Sequence, residues 1–287
     1  MIKDMFKDAL KRKPSNELLS NRVNTIRNLL NNEKEISKNY RAMASFIMSS
    51  KSESVDQNVK NTLQAVCVTK AFLFEKAGEK YHSIDLGRCI ACGRCNEAYP
   101  TLIKMERRFD YAFINKSAKT IISSNTSDSP FEKPLNEIGL NLKKRIQKVL
   151  RRSISVRAVD AGSCNGCEIE ITALNNPIYD VERFGIHFVA SPRHADVLLV
   201  TGPGSRNMEN PLQLTYKATP EPKIVIAAGA CACSGGIFGD TYATSGGIDK
   251  LVPVDVYIPG CPPRPQALLY GLMLAIDKIT SNQQGHQ

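Results

Sequence analysis

Nothing in this chain approaches the roughly 20 consecutive apolar residues of a membrane-spanning helix, so no span is predicted. The opening stretch, MIKDMFKDALKRKPSNELLS, lacks the apolar centre of a secretory signal and carries no paired arginines. A cytoplasmic chain is therefore expected. There is no G-x-G-x-x-G and no P-loop, so a dinucleotide or nucleoside-triphosphate site has no support. Histidine is scarce: His82, His187, His194 and His286 are too scattered to propose a metal site, and His194 in SPRHAD reads as structural. No basic repeat interleaved with aromatics occurs, and no nucleic-acid partner is expected. No internal repeat is evident.

Against these absences stand 9 cysteines in 287 residues. In a cytoplasmic setting they are thiols or metal ligands rather than disulfides. The net charge of +10 is unevenly placed: residues 1–152 carry 29 Lys and Arg against 16 Asp and Glu, residues 153–287 carry 9 against 12. The basic half is either a solvated surface or a face for an acidic protein or an anionic membrane.

The texture of the chain divides it into four. Residues 1–50 read as a polar helical extension, with Val23, Ile26, Leu29 and Leu30 on one face and a second apolar patch in YRAMASFIMSS. Residues 51–114 form a small cysteine-bearing unit whose YHSIDL and RFDYAFI segments are β-rich. Residues 115–152 begin as a Ser/Asn/Thr-rich linker. They end in a basic amphipathic helix over 134–152, with Leu135, Ile138, Leu142, Ile146 and Val149 on its apolar side. From 153 to 287 short β-branched runs (ISVRAVDAG, GIHFVAS, ADVLLVTGPG, KIVIAAGAC, VDVYIPGCP) alternate with the helical CEIEITALNNPI and PQALLYGLMLAIDKI. Strands alternating with helices predict an α/β domain built on a parallel sheet.

Five cysteines fall in this last part. Cys164 and Cys167 are the C-x2-C of GSCNGCEIE, Cys231 and Cys233 lie in GACACSGG, and Cys261 lies in PGCPPRP. Each segment directly follows a predicted strand. Ligands of open α/β sheets bind beyond the carboxyl ends of the strands, so these thiols are expected to converge on one sheet edge. Four thiolates there suit a [4Fe–4S] cluster or Zn²⁺. A thioredoxin-like redox pair would need neither the third cysteine nor the fourth.

VDAGSCNGCEIEITAL, ERFGIHFVASPRHADVLLVTGP, KIVIAAGACACSGGIFGD and VPVDVYIPGCPPRPQALLYGL resemble the small, electron-transferring subunit of group 4 membrane-bound [NiFe] hydrogenases of the formate hydrogenlyase type. The complex I 20 kDa, or B-type, subunit is homologous to it. The resemblance implies a flavodoxin-like parallel sheet and one [4Fe–4S] cluster on Cys164, Cys167, Cys231 and Cys261. Cys233 is then extra. The complex I member resembles a variant with two adjacent cysteines in the first motif, so CNGC favours the hydrogenase branch. By the same resemblance Glu168 sits near a partner subunit and assists proton movement; a plain helix-start carboxylate is the other reading.

The earlier cysteines pose a separate question. GRCIACGRCNEAYP places Cys89, Cys92 and Cys95 on the bacterial ferredoxin spacing C-x2-C-x2-C-x3-C-P, but Tyr99 stands at the fourth position. In two-cluster ferredoxins each such run gives its fourth cysteine to the other cluster. Cys67, in AVCVTKAF, lies where that cysteine would come from, with Val68 in place of the proline. Stepping back from Cys67 by 4, 7 and 10 gives Leu63, Lys60 and Gln57, none an iron ligand. One cluster has thus lost every ligand, and Cys67, Cys89, Cys92 and Cys95 retain the other. A labile three-iron cluster, structural zinc or a relic are the alternatives.

Residues 51–114 resemble a one-cluster remnant, small, α+β and ferredoxin-like, of the separate ferredoxin-like hydrogenase subunit, here fused to the small subunit. The resemblance implies two [4Fe–4S] clusters and an oxidoreductase complex with its catalytic metal on a partner, so no catalytic residue is assigned in this chain. The implied partners are a hydrogenase large subunit-like protein, membrane-embedded subunits and a soluble electron donor or acceptor. The implied location is peripheral, on the cytoplasmic side of the membrane. A quinone-reducing, complex I-like assembly is one alternative, and a zinc-stabilised basic binding module is another.

Overall fold

The computed structural model describes residues 42–47, 56–76, 79–106, 111–114, 116, 120–122 and 152–284. The expected helices before residue 42 and the basic helix over 134–152, apart from Arg152, lie outside the described residues.

The C-terminal part is a five-stranded parallel sheet: β6 (Ile154–Asp160), β7 (Ile186–Phe188), β8 (Val197–Thr201), β9 (Ile224–Ala228) and β10 (Val256–Ile258). The strands lie in the order β10-β9-β8-β6-β7. Counted within this domain the order is 2-1-3-4-5, the flavodoxin-like arrangement, which reverses direction between the first and third strands. β8 and β9 are buried at every position, which is why VLLVT and IVIAA read as continuous apolar runs. On one face Leu199, Ile226 and Ile258 pack against α3 (Gly166–Ala173) and α6 (Pro265–Gln284) through Ile171, Leu268 and Leu272. On the other, Leu198, Val200 and Val225 meet α4 (Arg206–Ala218) and α5 (Ala230–Ser234) through Leu212, Ala232 and Cys233.

The amino ends of the strands are stitched by aspartates. Asp196, just before β8, accepts from both terminal nitrogens of Arg152 and from the Ser155 amide. Asp255, just before β10, accepts from the Val225 amide. The carboxyl ends are left to the cysteine-bearing loops.

The N-terminal part is a small α+β module. β1 (Ala44–Phe46) pairs antiparallel with β4 (Ile103–Met105), and β2 (Phe72–Lys76), β3 (Glu79–Asp85) and β5 (Thr120–Ile122) form a second antiparallel sheet. α1 (Gln57–Val66) and α2 (Arg94–Ala98) complete it around Leu63, Phe72, Phe74, Ile84, Leu86 and Ile103. Two sequence boundaries move as a result. Ala44–Phe46, expected in a helical extension, is a strand because β4 offers it a partner. Thr120–Ile122, expected in a linker, is the third strand of the β2–β3 sheet, as its two isoleucines suit.

The two parts are joined by a short strap. Tyr111 packs in the core of the module and Ala112 in that of the sheet domain. Phe113 exchanges two backbone hydrogen bonds of 2.8 Å with Tyr257, extending the sheet beyond β10. Lys116 reaches Asp249 at 2.5 Å, and Ser234 Oγ donates to the Gly87 carbonyl at 2.7 Å.

Candidate metal centres

Each cysteine loop of the sheet domain is shaped by the strand it leaves. At the end of β6, Asp160 accepts from the amides of Gly162 and Ser163, at 2.8 and 2.6 Å, and turns the chain. Asn165 takes a left-handed conformation (φ 68°) before α3 begins, so Cys164 lies in the turn and Cys167 in the first helical turn. β9 ends at Gly229, whose amide donates to Ile258, while the Ala230 amide donates to Gly260 at 2.7 Å. That pair of bonds holds the loop after β9 against the loop after β10, and so brings Cys231 near Cys261.

Glycine makes room for the sulfurs. A Cβ at Gly229 (φ 94°) would stand 2.6 Å from Cys167 Sγ, and one at Gly236 (φ 55°) 2.9 Å from Cys231 Sγ. The four thiols act on one another. Burial pushes the Cys231 thiol up to about 11, with Cys261 and Cys164 adding to the shift. Cys167 is raised by burial first, then by Glu168, Cys231, Cys261 and Cys164. Cys164 and Cys261 are exposed, so the group opens to the protein surface. Cys233 is not part of it: the short α5 helix turns it the other way, fully buried, with its Sγ donating to the Ala227 carbonyl at 3.6 Å.

Glu168 sits in the first turn of α3, beside Cys167 and Cys231. Its Oε1 accepts from Thr201 Oγ1. Its Oε2 is buried with no hydrogen-bond partner among the described residues.

The second group of four is more local. Cys67 caps α1, its amide bonded to the Leu63 carbonyl, and its Sγ accepts from the Ala71 amide at 3.3 Å. Cys89 follows the turn after β3; Cys92 and Cys95 follow Ala91 and Gly93, both at positive φ (54° and 82°). All four line one apolar pocket with Ala44, Val66, Phe72, Ile84, Ile90 and Met105. Burial pushes the Cys95 thiol up to about 12, with Cys89, Cys92 and Cys67 contributing. Burial also raises Cys89, although backbone donors at Ala44 and Ala91 oppose it. Cys92 is exposed.

The positions where the ferredoxin spacing would put ligands of another cluster have structural roles. Gln57, Lys60 and Leu63 fall on successive turns of α1, with Leu63 fully buried and Lys60 over the Phe74 ring at 6.0 Å. Tyr99 caps α2 and packs against the core of the module.

Among the described residues, no group of three or more His, Cys, Asp or Glu side chains is placed to hold a metal ion. No helix among them is long and apolar enough to cross a membrane. Sequence reasoning missed the donors that shape the sites: Thr201 and the Ala44, Ala71 and Ala91 amides. Alanine amides carry no side-chain signal.

Comparison with known proteins gives these loops a context. Formate hydrogenlyase subunit 7 of Escherichia coli is 52% identical over 147 residues, covering 51% of this chain and 58% of that protein. The probable membrane-bound hydrogenase subunit mbhJ of Pyrococcus furiosus is 50% identical over 147 residues, 50% of this chain and 88% of that protein. An NADH-quinone oxidoreductase subunit of Geobacter sp. is 54% identical over 117 residues, 41% of this chain and 68% of that protein. A chain in the structure of the membrane-bound sulfane sulfur reductase, an archaeal respiratory membrane complex, is 37% identical, with a TM-score of 0.41 over 50% of this chain and 76% of that one. Residues 164–275, which contain Cys164, Cys167, Cys231 and Cys261, match the model of the NADH ubiquinone oxidoreductase 20 Kd subunit. Residues 1–163, with Cys67, Cys89, Cys92 and Cys95, lie outside that match. Through this match and its identity over most of the length of mbhJ, the chain belongs to the NADH ubiquinone oxidoreductase 20 Kd subunit family.

Proposed function

We propose that this protein is an iron–sulfur electron-transfer subunit of a membrane-associated oxidoreductase complex. Cys164, Cys167, Cys231 and Cys261 hold one [4Fe–4S] cluster. Cys67, Cys89, Cys92 and Cys95 hold a second, in a ferredoxin-like module fused ahead of the family domain. The observation that carries this reading is the gathering of eight of the nine cysteines into two separate groups of four. The donor sets fit the group. Thiolates are the standard ligands, and the spaces left by Gly229 and Gly236 would close if either glycine gained a Cβ.

When bound, such clusters exchange single electrons at potentials set by ligation, burial and hydrogen bonds to sulfur. The chain supplies those settings unequally. The module offers an apolar pocket and amide donors to Cys67 and Cys89. The sheet domain offers a surface-open site with Glu168 beside it, and we assign Glu168 to proton movement or to contact with the partner. Ser234, three residues after Cys231, bonds Gly87, two residues before Cys89, so the loops of the two sites touch. This contact supports relay of electrons between a soluble donor or acceptor at the module and a hydrogenase large subunit-like partner at the sheet domain. The two-residue gap in CNGC argues for the hydrogenase branch over quinone reduction. The complex sits on the cytoplasmic face of the membrane, held by membrane-embedded subunits.

The test is iron and acid-labile sulfide on anaerobically reconstituted protein, with low-temperature EPR after reduction. About eight irons and two interacting signals are expected for two four-iron cubes. About four irons would leave the C-terminal relay alone, and zinc without iron would overturn the reading. Hydrogen production set against quinone reduction by the purified complex separates the two branches.

A further inference from the structure

A cleft of about 370 Å³ lies where the module meets the sheet domain. Small-molecule pockets span about 300–1,000 Å³ and recur at domain boundaries. Four basic side chains line this one, with two acidic ones, Asp85 and Asp240. Lys70 and Arg88 come from the module, Lys116 from the strap and Lys250 from the sheet domain. The sheet-domain wall is the SGGIFGD loop, where Gly236 and Gly239 take positive φ (55° and 63°). Turns of this kind present backbone amides to anions.

The cations are held unequally. Lys250 pairs with Asp240 at 2.5 Å with both side chains about half exposed, and an ion pair this exposed is weak and exchanges partners at little cost. Lys116, at 2.5 Å from Asp249, and Arg88, at 3.6 Å from Asp85, are about half exposed themselves but meet largely buried carboxylates, so these two pairs are firmer. Lys70, held at φ 51°, has no carboxylate partner among the described residues.

We propose that this cleft binds a small multivalent oxyanion, a phosphate or phosphate ester, clamped between the module and the sheet domain. The four cations come from three separate segments, and a ligand in the cleft can draw on all of them. A multivalent anion can engage several at once, as charge-assisted hydrogen bonds require. Because such a ligand touches both domains, it favours their docked arrangement.

The experiment is calorimetric titration of inorganic phosphate into the full, reconstituted chain at constant ionic strength set with chloride. Saturable binding is expected, and Lys70→Glu and Lys250→Glu should each weaken it by about tenfold. Lys217→Glu, at the end of α4 and outside the cleft, is expected to leave it unchanged. Iron content and unfolding temperature certify each variant. Absence of saturable binding overturns the proposal. So does affinity that survives both reversals, or that falls equally with Lys217→Glu, since bulk charge would then explain it. A parallel arm uses phosphatidylglycerol vesicles. Capture of the chain by vesicles without binding of free phosphate would mean a lipid headgroup and would also overturn the free-anion proposal.

Discussion

The two cysteine groups each offer four thiols and are built in opposite ways. In the sheet domain the thiols come from three strand ends, 97 positions apart from Cys164 to Cys261. They meet because parallel strands bring their carboxyl ends to one edge. In the module three of the four lie within seven residues, and one loop nearly suffices. The first site is therefore a product of the whole domain, and its weak points are where the backbone must pass close to sulfur. The second is a product of local turns, and its weak point is the one thiol brought from afar, Cys67.

That contrast is broken most severely at Gly229. Alanine there must adopt φ 94° and put its Cβ 2.6 Å from Cys167 Sγ, so Gly229→Ala is expected to abolish the C-terminal cluster. Iron should fall from about eight to about four per chain, with the EPR signal of the module intact. If both signals vanish, the sites are not separable and the comparison fails. Next in size is Cys67→Ala. Cys89, Cys92 and Cys95 keep their turns, so a three-iron or labile cluster is expected in the module and an unchanged one in the sheet domain. Iron analysis and EPR read this directly. Full retention of a four-iron signal would remove Cys67 from the ligand set.

A third test reaches the sheet domain from its other end. Arg152 makes two bonds to Asp196, which is buried and also holds the Ser155 amide. Arg152→Ala leaves that carboxylate without its charge partner and should cost about 1–3 kcal/mol. Arg152 is itself more than half exposed, so solvent screening places the effect toward the lower end. Denaturant unfolding should show the loss in the C-terminal transition. A loss of equal size in the module would mean the two parts unfold as one.

The same contrast governs what could be read in advance. The five strands of the sheet were legible because most of the β-branched runs ended in Gly, Pro or Cys, and topology placed the three cysteine-bearing loops on one edge; the choice of Cys164, Cys167, Cys231 and Cys261 among their five cysteines came from the family resemblance. α4 was not: Pro211 stands inside it, and a proline there normally argues against a helix. In the module the cysteine spacing was legible and the scaffold was not. β1 and β5 are three-residue strands, too short to show periodicity, and exist because distant partners pair with them. α1 was hidden because its sequence is mostly polar, with Lys60 and Leu63 buried only in the folded state. The bystander status of Cys233 became physical once α5 showed it facing the core.

The smallest expected effect falls on the boundary between the two regions. Ser234 Oγ donates to the Gly87 carbonyl and also to Ala230, so Ser234→Ala removes one bond between domains and keeps the helix. A neutral hydrogen bond of this kind contributes about 1 kcal/mol, and the Phe113–Tyr257 pairing and the Lys116–Asp249 pair still hold the domains together. Both clusters should load fully, and overall stability should fall only slightly. The change to look for is local. Hydrogen exchange at the Gly87–Cys89 turn should quicken, and the interaction between the two EPR signals should weaken, while each signal alone keeps its shape. Ser234→Thr, which retains the hydroxyl, should restore both. If Ser234→Ala instead strips iron from either site, the residue supports that site rather than the boundary. The two groups would then share a scaffold more deeply than their separate construction implies.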